Sequence, residues 1–238
     1  MPSGARAVRR SGVGRDRRPQ ELTMRIRRTL SVLAVAGVVA GGGLALAPAA
    51  SAAAPPTGTS SLAALLASDG DTFDRNWRDF DILDQAVGAV LAAKPSSPVA
   101  VLADGTVPLT AFLPNDRAFQ YLAKDLTHRW YGSEQEVLTA LAGAVGIDAI
   151  EQVLLYHVVP GATIDSGTAL ASDNAVLTTA QGGTFTVDVI SKRFGIVQLR
   201  DQDRNDLNPF LIPGKLDLNK GNVQIAHAIT FVLRPADL

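Results

Sequence analysis

Three short blocks, in fixed order along the C-terminal half, constrain the fold of this chain more than any other feature. The first runs from Leu109 to Phe119 and contains Thr110, Phe112, Pro114, Asn115 and Asp116. Its apolar start reads as a strand, and Pro114-Asn115-Asp116 turns that strand into a helix carrying Phe119, Leu122 and Leu126 on one face, with Asn115 or Asp116 as its cap. The second, Val153 to Gly161, puts Ile150, Val153, Leu154 and His157 on one face of a short helix. It closes in Val159-Pro160-Gly161-Ala162, a type II turn in which Pro sets φ and Gly takes the positive φ. The third runs from Gly221 to Pro235. Val223, Ile225, His227, Ile229, Phe231 and Leu233 alternate along it, the period of a strand with one buried face.

The segments between the blocks fill in an α+β order. Ile82, Leu83, Ala86, Val87, Val90 and Leu91 recur at helical spacing, with Asp79 or Asp81 as cap and Pro95 to Pro98 as terminator. A further helix covers about 133–145, with Gly146 just past its end, and Asp148 with Glu151 forms a pattern like a capping box for the next one. Ala175–Ala180 and Thr184–Ile190 flank Gln181-Gly182-Gly183, a hairpin signal, and Ile196–Arg200 is another strand. Helices come early and strands late, which predicts antiparallel strands and an α+β domain.

The N-terminus has a different character. Residues 1–52 carry nine Arg and two acids, whereas the rest carries 13 basic and 21 acidic side chains, a net −8. Met24 is followed by Arg25, Arg27 and Arg28, then by an apolar run from Leu30 to Ala47 and by Ala50-Ser51-Ala52, the small residues of a cleavage site. This reads as a signal peptide over 24–52, preceded by an extension over 1–23 that is disordered or a misassigned start. Arg27-Arg28 is a poor match to a twin-arginine signal. Residues 53–61, rich in Ala, Pro, Thr and Ser, read as a linker. The expectation is a secreted or surface-associated protein with no membrane anchor left after cleavage.

Composition removes several function classes. There is no Cys, so thiol catalysis, thiolate metal sites and disulfides are excluded. The acidic body has no basic stripe for nucleic acid. The sequence contains no nucleophile elbow, H-E-x-x-H, P-loop or dinucleotide fingerprint. His157 and His227 fall on apolar faces and read as core histidines with satisfied nitrogens. With only His128 besides them, they do not reach the three ligands a metal needs. Asp201-x-Asp203-x-Asn205 starts like a calcium loop, but Asp206 stands where the obligatory Gly belongs and Ile212 where the Glu belongs. An irregular calcium loop and a solvated acidic turn remain as readings of that stretch. His128 to Tyr131 sets two aromatics beside cations, either as a recognition patch or as a helix end with one ring docked on the core.

Taken together the blocks resemble the fasciclin (FAS1) domain family. Thr110, Phe112, Pro114, Ala118 and Phe119 match its first signature segment, Tyr156 to Gly161 its central Tyr-His motif, and His227, Ile229, Val232, Leu233 and Pro235 its closing segment. The resemblance implies a wedge of two β-sheets with several α-helices packed along one side, over residues 62–238. It implies a bacterial-style exported, non-enzymatic module without cofactor, acting in cell adhesion or in surface and matrix interactions. The partner it implies is an envelope, matrix or cell-surface protein or glycan. By position it assigns a binding edge to Tyr156 and His157. The chain departs from the family pattern at Thr230, which stands in place of an Asp, and in a long charged stretch over 201–220, which adds Asp201, Asp203 and Asp206 to that surface. The alternative function is a small-ligand or calcium-binding extracellular module.

Overall fold

The computed structural model describes residues 56–237 except Asp69 and Asp71. The expected extension over 1–23, the expected signal peptide over 24–52 and residues 53–55 of the expected linker lie outside the described residues. In chain order the domain runs through α1 (Leu62–Leu66), α2 (Asp81–Ala93), a 3-10 helix (Pro98–Ala103), β1 (Leu109–Pro114), α3 (Asp116–Thr127) and α4 (Glu134–Tyr156). It continues through β2 (Val158–Pro160), α5 (Ser166–Ala171), β3 (Val176–Thr178), β4 (Thr184–Ser191), β5 (Ile196–Arg200) and β6 (Gln224–Ile229).

Two three-stranded sheets result, ordered β2-β1-β6 and β3-β4-β5. The Gly182 hairpin forms as its sequence predicts, pairing Val176 with Thr186 and Thr178 with Thr184, and Gly182 takes φ 98°. The expectation of antiparallel strands fails for β1 and β6, which are parallel, with Leu109 opposite Gln224 and Pro114 opposite Ile229. The whole intervening half of the domain serves as their crossover.

Alternation along β1 divides the core. Leu109, Ala111 and Leu113 pack with the helices, whereas Phe112 joins Tyr156, Phe185, Val187, Val197, Leu199 and Ile229 between the sheets. β6 is buried along its full length. Its small residue Ala226 packs with the helical cluster, and His227 lies against the Phe112 ring at 5.8 Å.

The early helices start as the sequence predicts but are capped differently. Asn115 caps α3, its side chain accepting from Ala118 N. Neither Asp79 nor Asp81 is the N-cap residue of α2, which is Phe80 with no side-chain cap bond. The Asp116 carboxylate reaches across instead and accepts from Ile82 N at 2.8 Å. Gly146, at φ 78° and ψ 168°, breaks α4 into the two expected segments. Asp148 and Glu151 both bind the Lys94 ammonium just past the end of α2 rather than closing a capping box.

The expected linker is partly built into the domain. Gly58 pairs with Asn222, and Ser61 caps α1. Gly105 lets this segment approach, since a Cβ there would lie 1.8 Å from Thr59 O. Gly105→Ala should therefore cost about 1–3 kcal/mol through forced displacement. Gly88→Ala, exposed inside α2 with nothing within 4 Å, should gain about 0.5–1 kcal/mol. Thermal unfolding of the two variants checks the contrast.

Candidate functional site

The Tyr-His edge is not a surface. Tyr156 is 0 % exposed and His157 4 %. The Tyr156 hydroxyl donates to Thr184 O at 2.6 Å, tying α4 to the second sheet, and burial pushes its phenol above the usual range. His157 Nδ1 donates to Val153 O at 2.7 Å, and Nε2 accepts from Leu233 N at 2.9 Å. Both nitrogens of a neutral ring are thus spent, and burial lowers its pKa to about 4. The binding role drawn from position for these two residues is corrected to a structural one. An apolar helix end followed by a strand sinks both side chains into the core.

His227 behaves in the same way. Nε2 donates to Ile164 O at 2.8 Å and Nδ1 accepts from Asp217 N at 3.2 Å. Burial lowers its pKa despite the nearby carboxylates of Asp217 and Asp165. Neither buried imidazole has a nitrogen left for a metal or for proton transfer. Thr110, fully buried, has a similar job. Its hydroxyl donates to Ala162 O and accepts from Ile164 N, each at 2.8 Å.

The acidic stretch after β5 also folds inward. Arg234 Nη1 lies 2.9 Å from Asp125 Oδ2 and 3.4 Å from Asp203 Oδ2, and Nη2 pairs with Asp206. Asp201 accepts from the Arg234 backbone N at 2.8 Å and from Asp203 N at 3.1 Å. Its burial raises its carboxyl pKa to about 6. The Asp203 side chain is fully buried. Asp201 and Asp203 thus shape a loop around a buried guanidinium, and the stretch is neither a solvated turn nor an open calcium loop. Of the three acids assigned to the binding surface, Asp206 has 32 % of its side chain accessible, Asp201 is half-buried and Asp203 is buried. Thr230, the departure in the last block, accepts from Phe210 N and fixes the same region.

Asp206 borders the concave site that is exposed. α3 ends at His128, whose φ of 56° reverses the chain. Trp130 then meets Tyr121 edge to face, ring centroids 5.5 Å apart, and Phe231 meets Tyr121 in the same way at the same distance. Trp130 is 52 % exposed and Tyr121 43 %. Beside them lies a groove of about 190 Å³ lined by Tyr121, Lys124, Asp125, Asp206, Leu207 and Phe231 above the Arg234 guanidinium. Tyr131 is the ring that docks on the core, so the His128–Tyr131 stretch is both a helix end and part of an exposed patch. The sequence signal for Trp130 was its place beside Arg129. Tyr121 has no local signal and the alternation of the last block marks Phe231 only as a strand position, because their cluster joins residues 110 positions apart in the chain. A second apolar patch, Ile190, Phe194 and Ile196 at the β4–β5 turn, is exposed but belongs to none of the larger concavities.

A solved FAS1 domain pair from the insect cell adhesion molecule Fasciclin I is similar at 15 % identity and a TM-score of 0.49. The match covers 73 % of this chain and 50 % of that one, so this chain spans half that relative's length. A comparison with curated protein sequences finds no match. The Fasciclin domain pattern matches residues 85–205, just over half of the 238 residues, and on that match the chain belongs to the fasciclin domain family.

Proposed function

We propose that this chain is an exported, non-enzymatic fasciclin-type domain that acts in adhesion by binding a protein of a cell surface, envelope or matrix. The observation that carries the reading is the pair of exposed rings, Tyr121 and Trp130, packed with half-buried Phe231 beside the groove. Aromatic side chains supply large contact area at low entropic cost and dominate the energetics of protein interfaces. Large rings left in water gain nothing for the fold, and a concave neighbour with Lys124, Asp125 and Asp206 at its rim gives a partner both a pocket and polar register. The non-enzymatic part rests on the two buried histidines, whose ring nitrogens are committed to backbone groups. Export rests on the Arg-rich leader, the apolar run and Ala50-Ser51-Ala52.

The test is retention of the exported domain on cells or matrix. Trp130→Ala and Tyr121→Ala should each weaken retention about tenfold or more, the loss typical of an interface anchor, and protease treatment of the surface should abolish it. Retention that survives protease but falls after glycan removal would replace the protein partner by a glycan. Retention unchanged in both variants would remove the groove from the account.

A further inference from the structure

The segment from Asp74 to Asp81 gathers carboxylates from distant parts of the chain. Oxygens of Asp74, Asp79 and Asp81 lie within 4.8 Å of one another. Asp116, the first residue of α3, caps α2 with one oxygen. Asp79 and Glu134 are its carboxylate neighbours. Glu134, the first residue of α4, accepts from Arg75 N at 3.0 Å with one oxygen. Asp79, Asp116 and Glu134 are 8 %, 0 % and 0 % exposed.

A second observation is independent of the clustering. Four buried polar side-chain atoms among the described residues lack a hydrogen-bond partner, and three are carboxylate oxygens of this group: Asp79 Oδ1, Asp116 Oδ2 and Glu134 Oε1. Buried polar atoms are nearly always paired, so three orphans in one place indicate a missing partner. No ion pair among the described residues reaches Asp79, Asp116 or Glu134.

We propose that Asp74, Asp79, Asp81, Asp116 and Glu134 form a binding site for a hard divalent cation of the calcium class. All of the donors are oxygens, which suits calcium or magnesium rather than zinc or copper. Several carboxylates on an irregular segment fit the 6–8 ligands and loose geometry of calcium better than the strict octahedron of magnesium. Two other sources of positive charge fall short. A single proton shared by Asp79 and Asp116 leaves Glu134 Oε1 unpaired. The starts of α2, α3 and α4 supply only partial charge and leave the orphaned oxygens of Asp79, Asp116 and Glu134 without a donor. The site shares no residue with the aromatic groove, so the adhesion reading stands or falls separately.

Thermal unfolding of the EGTA-treated protein is the test. Calcium chloride at 10 mM, about a hundredfold above the Kd of a tight extracellular module, should raise Tm by about 5–10 °C, and magnesium chloride by less. Terbium should bind with emission sensitised by Trp77, which lies within the segment. Asp116→Asn keeps an oxygen for Ile82 N and an amide that can donate to Asp79. It should fold at least as well without calcium, and both the shift and the terbium signal should vanish. Asp74→Asn changes an exposed residue, stays folded, and should weaken calcium affinity about tenfold. The proposal is overturned if calcium produces no shift in the unaltered protein, or an equal shift in Asp74→Asn and Asp116→Asn.

Discussion

Replacing Arg234 by Met should destabilise the domain by about 3–5 kcal/mol, the cost of leaving a buried charge without its partner. The Arg234 side chain is 7 % exposed and the Asp203 side chain 0 %, so water cannot take over the solvation of that carboxylate. Asp125 is half exposed and adds little to the loss. In a domain of this size the cost corresponds to a fall in Tm of about 10–15 °C. Adding Asp203→Asn to Arg234→Met removes the stranded charge and should recover at least half of the loss. Urea unfolding of the two single variants and the double variant gives the coupling directly. Additive losses would show that the pair does not organise the loop.

The second large effect is the pH dependence carried by His157. Burial lowers its pKa from 6.5 to about 4, so between those values the unfolded chain binds a proton that the folded one refuses. The stability contributed by the neutral ring is complete above pH 6.5 and is lost as pH falls toward 4, by up to about 3 kcal/mol. The structural cause is specific: a proton on Nε2 would face the Leu233 N–H from which that atom now accepts. Asp201 and Asp116, whose carboxyls are raised by burial, act in the opposite sense as pH falls. The difference between the unaltered protein and His157→Gln cancels their contribution. That difference should be largest at pH 7 and shrink by pH 4, measured by urea unfolding across the range. A difference independent of pH would mean that the ring is not held neutral.

These effects show where the sequence was legible. The strand-to-helix turn at Pro114, the Asn115 cap, the break at Gly146 and the Gly182 hairpin are decided within a few residues, and each formed where local chemistry put it. The two histidines were legible as core because each sat on an apolar face with the right period. Long-range pairings were not legible. Asp116 accepts from Ile82 N in the first turn of a helix 34 residues earlier in the chain, and Arg234 meets Asp125 across 109 positions. The charged stretch after β5 read as exposed because its compensating guanidinium lies in the next block of the chain. Family position misled at Tyr156 and His157 for a related reason: shared residues there preserve the scaffold, and the aromatic patch draws on Tyr121 and Trp130, which no block marks, and on Phe231, which the last block marks only as one of its alternating positions.

That division between scaffold and surface is the central claim, and one paired measurement tests it: Tm and surface retention of Tyr156→Phe against Trp130→Ala. Tyr156→Phe deletes only the hydroxyl bound to Thr184 O. It should cost about 1–2 kcal/mol, lower Tm by several degrees, and leave retention on cells or matrix intact. Trp130→Ala should leave Tm nearly unchanged and lose retention about tenfold or more. Lost retention in folded Tyr156→Phe, with full retention in Trp130→Ala, would return the binding edge to the Tyr-His block and contradict the account.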